Sequence, residues 1–343
     1  MQGGDLVRVA VGAITRRRPE GLRRLLESFA RMQRPEGAEI AFLLCENDDE
    51  SRVAEVVDAF RGEVPEPVEL MLEPRKGIPY ARNRVLGAAM AQGFDFLTFV
   101  DDDEVVEPDW LVRMLEAMDA RGLDLAAGPV LPVAPPEPLT GLQLMVLNQL
   151  RQRSQRRDVE RARTVGVDDD GGVEAFTGNW CLRLAAARRT GVTSFDEQTA
   201  ESGGEDSAFS LAMRRAGARI GWVPEAIAEE TQPAMRLSLF YVYRRIRDQE
   251  RNKMLLKDRS VAKRLWFVFQ RSLEMLVVGA VLPVVVLSRP EKGRKLMFNA
   301  TRKAGQIAGA FGSVFGLRSR HYAASADRLH VEQNPGSGEV VAK

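Results

Sequence analysis

Three consecutive carboxylates, Asp101-Asp102-Asp103, follow directly on a largely apolar run from Phe94 to Val100. The length of that run and its aromatic and β-branched content predict a buried strand. Adjacent carboxylates repel each other unless solvent or a cation relieves the repulsion. A Mg²⁺ or Mn²⁺ ion takes oxygen ligands and, when the protein supplies few of them, leaves positions open for substrate phosphates. Asp101 and Asp103 are therefore the candidate metal ligands, with a solvated acidic turn as the alternative.

Repeated strand–helix units surround these carboxylates. Strands are predicted over residues 7–14, 39–45, 68–72 and 94–100, and helices over 19–29, 51–60, 79–92 and 109–121. Such repeats predict an α/β fold with a mostly parallel sheet covered by helices on both faces. Ligands of these sheets gather at the carboxyl ends of the strands. Thr15, Glu46 and Asp101–Asp103 all fall at such ends, which favours one site.

The alternation weakens from about residue 125. Residues 129–136 are rich in proline and predict an extended or turn-rich connector. Residues 141–164 predict a helix that becomes strongly basic, and a further helix is expected over 207–216, before a strand over 219–223. The second acidic cluster, residues 168–172, ends in two glycines, so we expect a loop there and assign it no metal.

Length and composition limit the classes of protein to consider. The 343 residues provide for one large domain and an appendage. Two cysteines exclude a disulfide framework and fit a reducing compartment, and two histidines, both near the C-terminus, exclude a zinc pattern. The chain enters its first strand soon after Met1, so we expect no signal peptide.

Charge is distributed unevenly along the chain. Residues 1–230 contain 28 Lys and Arg against 40 Asp and Glu, whereas residues 231–320 contain 19 against 5. The basic part holds an apolar run, 276–287, that is shorter than the roughly 18–20 residues of a membrane span and contains Pro283. A second apolar stretch, 307–317, has glycines spaced four apart.

Basic residues beside short apolar segments are typical of helices that lie in, or dip into, an anionic cytoplasmic leaflet. The alternative is a helical hairpin buried in a soluble core or in a dimer interface, so an oligomer stays possible. We expect no nucleic-acid binding, because aromatic stacking platforms do not accompany the basic residues. The expected organisation is a catalytic domain (1–240), a membrane-associating helical region (241–322) and a disordered tail (323–343).

A series of short motifs resembles the family 2 glycosyltransferases, the inverting group with the GT-A (Rossmann-like) fold, and is similar to bacterial exopolysaccharide and cell-envelope members. The resemblance covers roughly residues 6–250 and depends on the order and spacing of the motifs. They are Thr15–Pro19, Glu46, Gly77 with Ala81-Arg82-Asn83, Asp101–Asp103 with Pro108 and Trp110, Gly178-Asn179, Phe195–Glu197, Gly203–Asp206, and Glu230–Arg236.

Two departures from the family pattern affect the prediction. The acid after the second strand is usually an Asp in an Asp-x-Ser turn, whereas this chain has Glu46-Asn47-Asp48-Asp49. The Gln-x-x-Arg-Trp signature of processive synthases is missing, so we do not expect processive polymerisation.

The resemblance implies a nucleotide-sugar donor, UDP-linked by preference, and a glycan or lipid-linked acceptor at the cytoplasmic face of the inner membrane. Asp101 and Asp103 would hold Mg²⁺ or Mn²⁺ at the donor diphosphate, with Asp103 the more direct ligand, and Asp102 would face the ribose. Glu46 would accept a hydrogen bond from the nucleobase, and Thr15 would line the same donor site. Arg82 would contact phosphate or base, with a surface ion pair as its alternative role.

Inverting transfer requires one base to take the proton of the acceptor hydroxyl. Asp206 is the candidate, since the start of a helix favours an ionised carboxylate, and Glu205 stays open as the alternative. A simple capping role would also explain an acid at this position. Asn179 and Trp180 are assigned to the acceptor side, where the indole would stack on a sugar; a core position for Trp180 is the alternative.

A Mg²⁺-dependent nucleotidyltransferase on a similar sheet is the competing class of function. Such an enzyme would need a glycine-rich, basic loop after the first strand to hold a triphosphate. The segment Thr15-Arg16-Arg17-Arg18 is basic but contains no glycine. The sequence therefore favours glycosyl transfer.

Overall fold

The structure is a computed structural model that describes residues 6–163, 165, 175, 177–200, 203–256 and 260–315. The chain divides into two compact units, one of Met1–Glu197 with Glu205–Tyr241 and the other of Gln198–Gly204 with Val242–Lys343. The acidic loop expected at 168–172 and the tail expected at 323–343 lie outside the described residues.

The first unit contains two sheets and the helices that cover them. Its strands are β1 (Val7–Thr15), β2 (Ala38–Glu46), β3 (Val68–Leu72), β4 (Phe96–Asp101), β5 (Glu104–Val106), β6 (Leu125–Ala127), β7 (Val130–Val133), β8 (Asn179–Arg183), β9 (Ile220–Trp222) and β10 (Ala228–Thr231). Its helices are α1 (Pro19–Arg31), α2 (Ala54–Glu63), α3 (Ile78–Ala91), α4 (Trp110–Ala120), α5 (Gly141–Ala162), α6 (Leu184–Thr190) and α7 (Glu205–Arg215).

The larger sheet has seven strands in the order β3-β2-β1-β4-β8-β6-β9. Only β8 runs against its neighbours, β4 and β6, so the predicted α/β class with a mostly parallel sheet is confirmed. The register of the parallel strands sets Thr15 beside Glu46 and Ile14 beside Asp101. Side chains at the carboxyl ends of β1, β2 and β4 are thereby brought close together.

Helices cover both faces of this sheet with apolar side chains. On one face Phe29 of α1 stacks between Phe42 of β2 and Trp110 of α4. On the other face Phe99 stacks on Trp180, and Phe195 and Phe209 complete a buried aromatic cluster. The alternating strand residues fill both layers, so the sheet is buried on both faces as expected for parallel strands.

The smaller sheet has the order β5-β10-β7 and was not expected from the sequence. Its strands are only three or four residues long, and β7 lies in the segment predicted as a connector. Pro132 fits into β7 because that strand is at the sheet edge, where a missing N–H donor is tolerated.

The second unit is helical. It takes most of α8 (Leu239–Leu256), together with α9 (Val261–Ser288) and α10 (Pro290–Val314). A Cβ at Gly309 would lie 2.3 Å from the Arg247 carbonyl oxygen, and one at Gly305 would lie 2.8 Å from that of Tyr243. The glycine spacing noted in the sequence therefore serves close packing of α10 on α8.

The apolar run of α9 is longer than the sequence analysis allowed. Pro283 lies inside one continuous helix, and the most apolar window of the stretch Val261–Val285 has a mean hydropathy of 1.6 and is not buried. By length and composition alone, this is the one helix of the described chain that could cross a membrane. Leu276 and Val284 are 70% and 65% exposed, so the alternative of a helix buried within the monomer is wrong.

Candidate active site

The three carboxylates at the end of β4 are each held by an arginine. Asp102 is buried, and it accepts hydrogen bonds from the Thr15 hydroxyl (2.7 Å) and from Arg18 (2.9 Å). Burial outweighs the attraction of Arg18 and raises the pKa of Asp102 to about 6. Thr15, the last residue of β1, and Arg18, from the basic segment that follows, therefore fix the middle carboxylate.

Asp103, the third carboxylate, contacts two arginines. It lies 3.3 Å from Arg236 and 3.6 Å from Arg18, and Arg236 also contacts Glu230 at 3.3 Å. Asp103 stays partly exposed, in contrast to Asp102. Asp103 is accessible, and an incoming ligand could displace its arginine partners. This carboxylate is therefore suited to binding a ligand.

Arg82 connects the two ends of the candidate site. Its buried guanidinium donates to Asp101 at 3.0 Å and to Glu205. The alternative role of Arg82, a surface ion pair, is wrong, because both Arg82 and Glu205 are buried. The pKa of Asp101 is raised by loss of solvation, although Arg82 opposes the shift.

Glu205 and Asp206 begin α7, and their environments differ. Glu205 is buried and paired with Arg82, whereas Asp206 is half-buried and accepts a 2.7 Å hydrogen bond from the backbone N–H of Ser207. Burial and the neighbouring Glu205 raise the pKa of Asp206 to about 7. The position of Asp206 at the start of a helix was expected to favour the ionised carboxylate. Burial disfavours the ionised form, and the effect of burial on the pKa is the larger of the two.

Glu46 is fully buried at the end of β2. One carboxylate oxygen accepts from the Ser51 hydroxyl at 3.0 Å and from the backbone N–H of Arg52 at 2.8 Å. The other oxygen, Oε1, is buried and has no hydrogen-bond partner among the described residues. A buried acceptor without a hydrogen bond costs free energy. This indicates that a bound molecule supplies the missing hydrogen-bond donor.

Two asparagines that the sequence analysis left without a role shape the surrounding loops. Asn47 donates to the carbonyls of Glu73 and Arg75 and accepts from the N–H of Gly77, all within 3.0 Å. Gly77 has φ of 142°, a conformation that favours glycine, and precedes α3. Asn83 exchanges two hydrogen bonds with the backbone of Phe195. The carboxamide groups thereby join separate segments of the site.

Glu104 is a buried acid that the sequence analysis missed. It accepts a 3.1 Å hydrogen bond from the backbone N–H of Asp101. Burial, followed by the nearby Asp101 and Asp103, raises its pKa well above the usual value. A Cβ at residue 178 would lie 2.6 Å from Glu104 Oε1, which explains the glycine of the Gly-Asn motif. The acid following an Asp triplet was the signal available in the sequence.

Trp180 and Asn179 lie in the protein interior. Phe99 and Phe209 pack against the buried Trp180 indole, so the core alternative is the one observed. The buried Asn179 carboxamide accepts from Trp110 Nε1 and donates to the carbonyls of Pro129 and Ala226. Both assignments to the acceptor side are therefore corrected: these residues support the sheet.

The oxygen ligands that the site offers fit a hard cation only in part. Asp101 and Asp103 offer oxygen ligands, as Mg²⁺ and Mn²⁺ prefer. Within the described ranges no group of three or more His, Cys, Asp or Glu is arranged to hold a metal ion. Two carboxylates alone would therefore need further ligands, from outside the protein, to hold such a cation.

Comparison with known proteins identifies the family. The model of Glycosyl transferase family 2 matches residues 11–172, and that of Glycosyl transferase family group 2 matches residues 96–288. The chain is a family 2 glycosyltransferase. It is 31% identical to the succinoglycan biosynthesis protein ExoM of Rhizobium meliloti (strain 1021), over 90% of this chain and 94% of that protein. Family membership replaces the nucleotidyltransferase alternative.

A solved mannosyltransferase structure supports the fold. The mannosyltransferase PcManGT from Pyrobaculum calidifontis, in complex with GDP-Man and Mn²⁺, matches with a TM-score of 0.60 at 13% identity, over 90% of this chain and 87% of that one. Residues 1–349 of S. aureus TarS, in complex with UDP-GlcNAc, match with a TM-score of 0.48 at 14% identity, over 90% and 92%. The GT-A-like fold expected from the motifs is confirmed.

Proposed function

We propose that this glycosyltransferase moves a sugar, with inversion, from a nucleotide sugar to a hydroxyl of a glycan or lipid-linked acceptor during polysaccharide biosynthesis. The observation that carries the proposal is the convergence of Thr15, Glu46 and Asp101–Asp103 at one sheet edge, linked by Arg82 to the start of α7. The name of the relative ExoM, a succinoglycan biosynthesis protein, supports the polysaccharide context.

The donor would lie along the ends of β1, β2 and β4. Glu46 Oε1 offers a buried acceptor for a nucleobase N–H, as uracil would provide in a UDP-sugar. Asp102, held by Thr15 and Arg18, is the candidate for the ribose. Arg82 is better assigned to positioning Asp101 and Glu205 than to contacting the donor, because its guanidinium is already buried between those two acids.

Asp101 and Asp103 would hold Mg²⁺ or Mn²⁺ at the donor diphosphate. When bound, the cation neutralises charge that develops on the leaving diphosphate. The complex of PcManGT with Mn²⁺ is consistent with this assignment. Arg236 and Arg18, which contact Asp103 here, would then be available to the phosphate oxygens.

Asp206 is the proposed base. Its partly exposed carboxylate would accept the proton of the acceptor hydroxyl as that oxygen attacks the anomeric carbon. Glu205 is less suited to the same task, because Arg82 neutralises it and the protein buries it. A base with a pKa of about 7 is matched to proton transfer near neutral pH.

The second unit would attach the enzyme to the cytoplasmic face of the membrane. The exposed apolar surface of α9 supports this part of the proposal, as does the basic composition of residues 231–320. Burial of apolar groups contributes attraction that salt does not screen. The enzyme should therefore stay with membranes in high salt and leave in detergent.

The test is a screen of UDP- and GDP-sugars for hydrolysis and transfer, with Mn²⁺ or Mg²⁺ and with excess chelator. We expect turnover of one nucleotide sugar that depends on the cation. Asp103→Ala should abolish transfer and weaken nucleotide binding in the presence of the cation, while the fold, monitored by circular dichroism, is retained. Full activity in chelator, or in Asp103→Ala, would refute the metal assignment.

A further inference from the structure

Helix α9 directs charged side chains toward α10 and apolar side chains outward. Arg264 donates to the Ser313 carbonyl at 2.8 Å, and Glu274 lies 2.7 Å from Lys303, so both contacts reach α10. The outward side carries a stripe of exposed large apolar residues: Leu265, Trp266, Phe269, Leu273, Leu276, Val277, Val281, Val284 and Leu287. Charged groups that face a neighbouring helix, with apolar groups outside, are typical of a helix in contact with lipid.

Helix α10 runs antiparallel beside α9. The contacts of Arg264 with Ser313 and of Glu274 with Lys303 share one register, which leads back to the turn at residues 288 and 289. Unlike α9, α10 does not have the length and composition of a membrane span. It carries six charged residues, Glu291, Lys292, Arg294, Lys295, Arg302 and Lys303. Because charged side chains are costly in hydrocarbon, α10 belongs on the water side of α9.

A different side of α10 packs on α8, which is also highly charged. Gly305 and Gly309 allow the close approach of α10 to the carbonyls of Tyr243 and Arg247. The same part of α8 contains four arginines, Arg244, Arg245, Arg247 and Arg251. A bilayer that lies parallel to α9 would cover the outward apolar stripe alone. If α9 crossed the bilayer, it would draw the charged helices packed beside it into hydrocarbon.

Basic side chains lie at both ends of α9. Lys263 is exposed near the start of the helix, and Arg289, Lys292 and Arg294 are exposed at the turn into α10. Lys and Arg beside membrane segments stay on the cytoplasmic side, where anionic headgroups attract them. A crossing helix would carry the three residues at the turn to the far side. A helix that lies along the membrane surface keeps both of its ends at the anionic leaflet.

We propose that α9 lies flat in the cytoplasmic leaflet, with its outward apolar stripe at the boundary between headgroups and acyl chains and both ends on the same side. The inference rests on the membrane attachment in the proposed function and deepens it, because it names the one leaflet that the helix contacts and excludes a span. Attachment is measured by vesicle binding, whereas the flat arrangement is measured by sidedness and depth.

The first test measures the side of the membrane from which the turn after α9 is accessible. The native cysteines, Cys45 and Cys181, are buried, so an introduced exposed thiol can be labelled selectively. Ser288→Cys places a thiol at the turn, and the control Lys253→Cys places one on α8, which precedes α9 and stays cytoplasmic in either arrangement. The full-length variants are produced in bacterial cells and treated with a membrane-impermeant maleimide, as spheroplasts and as inverted membrane vesicles.

We expect both thiols to react in inverted vesicles and neither to react in intact spheroplasts. Reaction of Ser288→Cys from outside the spheroplasts, with the Lys253→Cys control protected, would show that α9 crosses the membrane and would overturn the inference. The membrane attachment in the proposed function would then still stand.

The second test measures depth along the outward apolar stripe. Phe269→Cys, Leu276→Cys and Val284→Cys each carry a nitroxide label, and oxygen accessibility is measured with vesicles of about four parts phosphatidylcholine to one part phosphatidylglycerol. A flat helix gives similar depths at the three positions, about 5–10 Å into the interface. A crossing helix gives depths that differ by up to about 22 Å between the outer two positions, since each residue rises 1.5 Å.

Three results of the depth measurement would overturn the inference. Depths that change steadily along the helix would indicate a span. Spin–spin broadening between copies that persists in detergent, without oxygen accessibility, would assign the apolar stripe to a second copy of this chain. A protein that does not bind the vesicles would refute both the membrane attachment and this inference, whereas a loss of donor turnover alone would contradict only the catalytic part of the proposed function.

The third test uses the charges at the turn. Replacing Arg289, Lys292 and Arg294 with Gln should weaken binding to the anionic vesicles roughly 30-fold or more, since each basic residue near an anionic surface contributes about fivefold. In a crossing arrangement the same change would remove charge from the far side and would not weaken binding. The matched control changes three exposed arginines of α1 to Gln, Arg23, Arg24 and Arg31.

The α1 control removes the same charge and should retain vesicle binding, and both triple variants should retain donor hydrolysis. Unchanged binding of the turn variant would overturn the inference. An equal loss in both variants would assign the effect to net charge and would likewise remove the turn from the membrane contact.

Discussion

The carboxyl end of the larger sheet and helix α9 depart from the usual distribution of polarity in opposite ways. At the carboxyl end of the larger sheet, charged groups are buried or partly buried, and each carboxylate of the Asp triplet has an arginine partner. Along α9, large apolar side chains face solvent. Buried charges cost free energy unless they are paired, and contiguous exposed apolar surface marks an interaction site. The first region is internally compensated, whereas the second requires a partner from outside.

The largest effect is expected at Asp206, the proposed base of the transfer reaction. Asp206→Asn retains shape but removes the proton acceptor, so transfer should fall by about 10²–10⁴-fold while donor binding survives. Initial transfer rates and calorimetric titration with the nucleotide measure the two quantities. If Glu205→Gln is the more damaging change, the base is one residue earlier.

The next effect tests the compensation itself. Arg82→Met leaves Glu205 buried without its partner and should lower the free energy of unfolding by about 3–5 kcal/mol, measured by urea denaturation. Adding Glu205→Gln removes the uncompensated charge and should restore part of the stability. Equal stability of Arg82→Met and wild type would show that the ion pair contributes little.

A third change addresses α9. Replacing Leu276 and Val284 with Gln removes exposed apolar surface, so membrane retention in about 1 M NaCl, where ionic attraction is screened, should fall roughly 100-fold. Sedimentation with membranes gives the bound fraction. The control pair Leu276→Met and Val284→Ile should behave as wild type. Unchanged retention in the Gln variant would remove α9 from the attachment surface.

The pH dependence of transfer follows from the environment of Asp206. Its raised pKa, about 7, means that the ionised base is scarce below that value and complete above it. The rate should rise about tenfold per pH unit in the acidic range and level off above pH about 7. The rate of Asp206→Asn should lack this rise. A profile that falls with increasing pH would assign the titrating group a different role.

The smallest effect on catalysis is expected at Trp180. Because its ring is packed among Phe99, Phe195 and Phe209, Trp180→Phe should lower stability by about 1–2 kcal/mol and leave the KM for acceptor unchanged. A large rise in that KM with unaltered stability would return the indole to the acceptor site.

Local pattern and long-range pairing explain what the sequence could predict. Strands β1 to β4 were recognised because each is an apolar run bounded by turn residues, and their parallel arrangement brought Thr15, Glu46 and the Asp triplet together as expected. The link between Arg82 and Glu205 spans 123 residues, and no local pattern encodes it. The small sheet was missed for the same reason, because its short strands are defined by their partners.

Motif position was a poor guide to burial. Asn179 and Trp180 follow a family glycine and were assigned to the acceptor, but β8 turns both into the protein interior. The continuous helix through Pro283 was underestimated because proline was taken as an interruption. A proline within a helix removes one hydrogen bond, and the remainder of α9 maintains the helix on both sides.

The alignment of β1, β2 and β4 also has a consequence for the evolution of this enzyme. The proposed donor residues Thr15, Glu46 and Asp101 each stand at the last position of a strand, so their spacing is set by the hydrogen-bond ladder. Loops beyond those positions are able to lengthen or change composition without moving them. New sugars or acceptors are then accessible through changes in the loops, while the residues proposed to form the donor site stay in register.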